Sequence, residues 1–318
     1  MASVDFKRAA KRFRRPGRKK ETIFCLCALV PLLLHWVLFF VYGNLNSVLL
    51  AFQWYDVASY SYKFLTGGQM FENFRRFFVD LFSGGNVTHY FGMGVLFHLI
   101  GIVIGLPVSL MCAFVIYKKL PGHGIFKVIL YLPSIFSAMV VALIFKYFAD
   151  KALPEIVFAL FKKRINGMFL DPKYNVGILL FYTAFFAVPG SLLINLGTMS
   201  RTPTELIEYG KLEGMTLWQE FIHVTVPLMF PVLQVYCLGM FAGFFTQMGP
   251  LHIIYAGEAP INTRTFGYYM FVSVLGDATG KSMYGYTAAA NLAIGLVSIP
   301  IVYGTKKLFD RLDPEAEF

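Results

Sequence analysis

Two stretches of this chain carry residue types that could do chemistry. The first, Gly276-Asp-Ala-Thr-Gly280-Lys281-Ser282, has the glycines, lysine and hydroxyl of a phosphate-binding loop. It is one residue short of the GxxxxGK[ST] spacing and follows no strand pattern, so its amides and lysine would not converge on a nucleotide. It is rejected as a nucleotide site, and the chain is not expected to hydrolyse ATP alone. The second stretch, 201–221, is acidic, with Glu205, Glu208, Glu213 and Glu220 among turn-forming residues. His35, His98 and His223 lack metal-ligand spacing, and Cys25, Cys27, Cys112 and Cys237 suit neither a zinc site nor a disulfide framework. No metal site is expected. No ionisable residues converge inside the apolar stretches, so an enzyme is not expected either.

The elements that must position the acidic stretch follow from composition. Apolar residues make up 57% of the chain and charged residues 14%, too few charges to cover a soluble fold of this size. Lipid removes the difficulty, because a helix in hydrocarbon has no apolar side chains to hide. A span needs ~20 mostly apolar residues. Six segments qualify, at about 23–42, 91–117, 128–145, 176–199, 222–248 and 286–303. The expected fold is all-α, a polytopic membrane domain over 22–310, with a basic segment 1–21 before it and a tail 311–318 after it. Pro31, Pro107, Pro133, Pro189 and Pro300 fall in or near spans, where neighbouring groups can take up freed carbonyls and the breaks give helices a place to bend. Gly101 with Gly105, and Gly239 with Gly243, have the spacing that lets helices approach closely in lipid.

Charge placement sets the orientation. Nine basic residues lie between Lys7 and Lys20, directly before the first apolar stretch. That run reads as the cytoplasmic flank of a membrane helix, with Phe6 and Phe13 suited to an anionic lipid surface, and not as a nucleic-acid tail. Both termini are then cytoplasmic, together with Lys118, Lys119, Lys127, Lys306, Lys307 and Arg311. The segment 150–173 argues the other way, since it would be external yet carries Lys151, Lys162, Lys163, Arg164 and Lys173. The first span usually dominates, and the orientation is kept.

The acidic stretch lies between the fourth and fifth spans. Thr202-Pro203 with Thr204 and Glu205 reads as a helix start. Leu206, Tyr209, Lys211 and Leu212 continue the helix, and Gly214 ends or sharply turns it. A second short helical stretch leads through Trp218 to Phe221 and the fifth span. The expected shape is a short rod standing out of the membrane, stopped by a glycine and tied to the next span.

At these residues the chain resembles a known family. Glu208-Tyr209-Gly210-Lys211-Leu212-Glu213-Gly214 is similar to the Glu-Ala-Ala-x-x-Asp-Gly pattern of ATP-binding-cassette importer permeases, with Val224, Val226-Pro227 and Pro231 resembling its downstream part. Tyr209, Gly210, Glu213 and Val226 depart from it. Lys119-Leu-Pro-Gly-His-Gly-Ile-Phe126 with Leu130-Tyr131-Leu132-Pro133, Phe71-Glu72-Asn73-Phe74 and 263–269 resemble other parts of the sugar-type (maltose-type) permeases, in order along the chain.

The resemblance implies a type I importer permease in a bacterial inner membrane. It implies that the stretch is a coupling helix docking on a cytoplasmic ATPase, with Glu208 and Gly214 as signature positions and Tyr209, Gly210, Leu212 and Glu213 at the contact. It implies as partners a second permease (a heterodimer), two ATPase subunits that use ATP and Mg, and an extracellular solute-binding protein. No cofactor would be bound by this chain. The implied function is import of a sugar or oligosaccharide by alternating access. Importers of another solute, such as a polyamine or peptide, share the coupling segment, and a channel would need no ATPase.

Uncharged polar groups inside spans are costly unless paired or facing water, which singles out Asn195, Gln234, Gln247 and Asn291. The resemblance to maltose-type permeases points the substrate pathway at Phe186 and Gly190, around Pro189, and at Gln247.

Overall fold

The computed structural model describes residues 19–275 and 277–312. Most of the basic run with Phe6 and Phe13, Gly276 of the rejected loop, and the tail from Asp313 lie outside the described residues. The chain is helical almost throughout. Helix α1 (Lys19–His35) continues through a wide turn at Trp36–Val41 into α2 (Tyr42–Ala51). The single antiparallel hairpin among the described residues follows, β1 (Gln53–Asp56) and β2 (Ser61–Phe64), with Trp54 opposite Lys63 and Tyr55 opposite Tyr62. Helix α3 (Glu72–Phe82) then lies against the start of the hairpin. Its alternation of Arg75 and Arg76 with buried Asn73 and Phe77 is that of a helix with one face on a core.

The second span combines α4 (Asn86–Ile100) and α5 (Leu106–Tyr117), joined through a wide turn at Gly101–Gly105. The third segment is α6 (His123–Ile135), α7 (Ala138–Tyr147) and α8 (Leu153–Phe161). The fourth span is one helix, α9 (Asn175–Met199). Next come α10 (Thr204–Leu212), α11 (Leu217–Glu220), α12 (Val226–Leu228) and α13 (Phe230–Ala242). Two short helices, α14 (Leu251–Tyr255) and α15 (Phe266–Leu275), precede the last long helix, α16 (Asp277–Leu312). Among the described residues, four helices are long and apolar enough to cross a membrane, or six if two bent pairs each count as one span.

Two of the six apolar runs are bent, each near prolines that give a helix a place to bend. The apolar run 128–145 is interrupted: α6 meets α7 at 108°. Phe136 and Ser137 are extended there, and the Ser137 hydroxyl accepts from the Val140 amide at 3.3 Å, capping the new helix. Pro133 weakens the preceding turn by removing one amide donor. The run 222–248 bends by 67° between α12 and α13, with Pro227 and Pro231 on either side of Met229, and its helix stops at Ala242. Gln247 therefore lies in irregular chain. The first helix extends past 42 to Ala51 because nothing between Tyr42 and Ala51 breaks it.

Packing joins the spans at close quarters. A Cβ on Gly105 would stand 2.9 Å from the Ala187 Cβ, so this glycine lets α5 and α9 touch. Gly285 of α16 meets the β1 backbone: a Cβ there would collide with the Gln53 carbonyl oxygen and lie 2.9 Å from Asn73 Nδ2. Buried Asn73 donates to the carbonyls of Ala51 and Gln53, both at 2.9 Å, pinning the end of α2 and the start of the hairpin. At the opposite end, Gln234 Nε2 donates to Asp310 Oδ1 at 2.6 Å and the Phe230 and Phe309 rings lie 5.6 Å apart. The end of α16, with Lys306, Lys307 and Arg311, thus shares a membrane face with the start of the fifth span. None of the most apolar part of the first helix is buried against the rest of the chain.

Candidate functional site

The acidic stretch folds as a rod, a stop and a root. Pro203, extended at φ −59° and ψ 130°, leads into α10, and Glu205 in its first turn faces the positive end of the helix dipole. Gly214 then takes φ +78°. The Met215 amide donates to the Gly210 carbonyl at 2.9 Å and the Gly214 amide to the Lys211 carbonyl at 3.1 Å. These two bonds form a Schellman stop, which satisfies carbonyls the helix end would leave open. The Met215 methyl folds onto Gly210, where a Cβ would collide with it. The glycine at 210, where the resembled pattern has alanine, thus opens a seat for Met215.

The next helix starts at once. Thr216 accepts from the Gln219 amide at 3.3 Å, and Gln219 Oε1 accepts from the Thr216 amide at 2.8 Å, a reciprocal capping box. Helix α11 passes without a gap through Phe221–Thr225 into α12. A load on α10 therefore reaches the fifth span through one tight turn and no loose linker.

The rod is exposed. Ile207 is the one buried residue of α10, whereas Tyr209 and Leu212 are 68% and 83% exposed. Glu208, Lys211, Glu213 and Gly214 are exposed as well. Apolar tips flanked by acids suit a groove with an apolar floor and a basic rim. The root is buried: Phe221 packs against Phe114 of α5 with ring centroids 5.1 Å apart, and against Trp218 at 5.7 Å. Glu220, 4% exposed, pairs with Lys118 at the end of α5. Composition and spacing gave no sign of that pair, since its members lie far apart in the chain and each read as one more charge on a loop.

Phe186 and Gln247 line one cavity of 610 Å³ between the second, fourth and fifth spans. Phe97, His98, Tyr182 and Tyr236 also face it. Gly190 is not among its lining residues and lies exposed on α9. The sequence reading weighed His98 only as a metal ligand and did not single out the two tyrosines; a histidine mid-span was the available signal for the cavity. Tyr182 and Phe186 are in contact, with centroids 4.4 Å apart. The cavity thus offers aromatic faces beside a few polar groups, a lining that can hold an uncharged polar solute.

The other polar groups singled out in the spans go elsewhere. Asn195 is fully buried and donates to Ser109 at 3.1 Å, inside a polar contact between α5 and α9 that includes Ser191. Gln234 pairs with Asp310, as above. Asn291 lines a second cavity of 800 Å³ with Asn44, Ser47 and Tyr284, between the first and last helices. Lys281 of the rejected loop sits on α16 with its ammonium 5.8 Å from the centre of the Tyr55 ring.

No protein-family model matches the chain. It is similar to the maltose/maltodextrin transport system permease protein MalF of Vibrio vulnificus, 26% identical over 191 residues, 58% of this chain and 36% of that protein. It is likewise 26% identical over 254 residues to the MalF of Shigella flexneri, 75% of this chain and 49% of that one. The matches thus span about a third to a half of these relatives' length. The multiple sugar-binding transport system permease protein MsmF of Streptococcus mutans is 24% identical over 287 residues, 88% of this chain and 93% of that protein. Two solved structures share the fold. A bacterial alginate ABC transporter in complex with an alginate pentasaccharide-bound periplasmic protein aligns with TM-score 0.70 at 18% identity, over 93% of this chain and 99% of the other. A bacterial ABC transporter involved in import of the acidic polysaccharide alginate aligns with TM-score 0.72 at 17% identity, over 96% and 99%. The relatives are named as sugar-transport permeases, and the helical fold is shared with chains of the two ABC transporter structures.

Proposed function

We propose that the chain is a membrane permease of an ATP-driven, binding-protein-dependent importer for a sugar or oligosaccharide. The observation that carries this reading is the exposed α10 rod, stopped by Gly214 and fused through α11 to the fifth span. Such a rod converts a push from outside the membrane into a movement of helices within it. The push would come from two separate ATPase subunits that use ATP and Mg, with Glu208, Tyr209, Gly210, Leu212, Glu213 and Gly214 at or beside the contact. The face bearing α10 is then cytoplasmic.

A second permease would complete the translocation path and cover the bare first helix, and an extracellular solute-binding protein would deliver the solute. ATP biases two states of the path, inward- and outward-facing, by binding one arrangement of the ATPases better than the other. Sugars present hydroxyls and flat apolar faces, and the cavity lined by Phe186, Tyr182, Tyr236, His98 and Gln247 has groups for both. Gly190 would act from its place on α9 and not from the cavity wall.

Gly214→Pro tests the reading. Proline holds φ near −65° and has no amide hydrogen, so it can neither take φ +78° nor donate to Lys211. The variant is expected in the membrane at normal level, with ATP-dependent uptake of labelled maltodextrin and alginate oligosaccharides lost. Normal uptake of a sugar that the wild type imports would sink the coupling assignment.

A further inference from the structure

We propose that the Lys118–Glu220 ion pair is the joint that makes the second span move with α10, so that a load on the rod is delivered to two spans and not one. The inference rests on the coupling reading above and adds the positioning residues through which it would act.

The geometry is unusual for a membrane surface. Glu220 is 4% exposed and closes α11, the last turn before the fifth span. Its partner Lys118 caps the end of α5, with a side chain only 13% exposed. The Lys118 ammonium also lies 5.8 Å from the centre of the Phe114 ring and 5.5 Å from that of Tyr117. Phe114 in turn packs on Phe221, the residue after Glu220. A buried carboxylate and ammonium hold each other because either alone would leave an uncompensated charge out of water. A purely apolar contact can slide, whereas separating a buried ion pair flanked by two aromatic rings would leave both charges uncompensated. Behind the joint, Phe114 and Phe221 belong to one buried core with Val188 and Leu192 of α9 and Met229 and Leu233 of the fifth span. The rod itself has no comparable anchor, since Ile207 is its only buried residue. A push on α10 therefore enters the bundle at Glu220 and Phe221, beside the end of α5.

The test uses the full permease purified with its ATPase subunits in nanodiscs, with cysteines introduced at Thr204, on α10 but outside the proposed ATPase contact, and at Lys119, in a background lacking native cysteines. Nitroxides at these two exposed positions report the separation of rod and second span. MgATP is the added probe. With the joint intact, one narrow distance is expected with and without MgATP. Glu220→Gln and Lys118→Met should gain a second, longer population above about 10% under MgATP. The exchanged pair, Lys118→Glu with Glu220→Lys, should return to one distance. Where a single substitution keeps the protein out of the membrane, the double variant Lys118→Met/Glu220→Met removes both charges together. It should accumulate and show the second population. A single distance in the neutral variants overturns the joint while leaving the coupling reading standing. Failure of any ATPase to co-purify with the wild type overturns the coupling reading, and the joint with it.

Discussion

At the scale of single residues, charge and backbone conformation act within a few ångströms. Asp56 in the β1–β2 hairpin is held at about 2, well below the usual carboxylate range, first by the hydrogen bond from Lys63 and then by those from Ser59 and the Ala58 amide. Because the folded value is depressed, the contribution of this contact is complete above the unfolded value of 3.8 and is lost as pH falls toward 2. Lys63→Met removes the largest of these causes, and the carboxyl should then titrate closer to 3.8, read by carbon-13 shifts of selectively labelled aspartate. Glu72, at the start of α3, is also held at about 2, chiefly by Arg75. At 210 and 214 the residue types explain themselves locally: one glycine seats Met215 and the other takes a positive φ.

At the scale of elements, the rod and its turn were legible in sequence because caps are local chemistry. Thr202-Pro203 opened the helix, Gly214 closed it, and both ends fell where helix-terminus rules put them. The capping box at Thr216 and Gln219 obeys the same rules. Thr216→Ala should cost about 1 kcal/mol of local stability, seen as faster amide exchange across 217–220 with little change elsewhere. Prolines marked places where spans can bend, but the position and angle of the breaks in the third and fifth segments were not legible. Pro133 lies inside α6, yet the chain turns only at Phe136 and Ser137. Apolar content at these positions suits a straight span as well as a bent one. The bend is chosen by what the two halves pack against: the rear half carries Lys146, whose ammonium donates to the Ile254 carbonyl at 2.6 Å.

At the scale of the whole molecule, contacts between distant segments decide which parts move together. Gly285 brings α16 against the hairpin and α3, and the nearest atoms are a backbone carbonyl and the Asn73 amide already bonded to it. Neither can give way freely. Gly285→Ala should therefore lower stability by about 1–3 kcal/mol and loosen the hairpin, measured as a reduced melting temperature in detergent and faster proteolysis near 53–64. Gly105 is the matching contact between α5 and α9. The Lys118–Glu220 pair adds a third tie at the face that carries the rod.

The sequence by itself determined membrane residence, the helical class and the place and shape of the acidic rod. Each depends on composition or on neighbours a few residues apart. Only the tertiary structure decided the two bends, the pairing of Lys118 with Glu220, and the meeting of Phe186 with Gln247 in one cavity that leaves Gly190 aside. These are contacts between residues remote in the chain. In an apolar bundle many packings bury similar area, so the choice among them rests on a few glycines, prolines and buried polar groups whose partners no local pattern names.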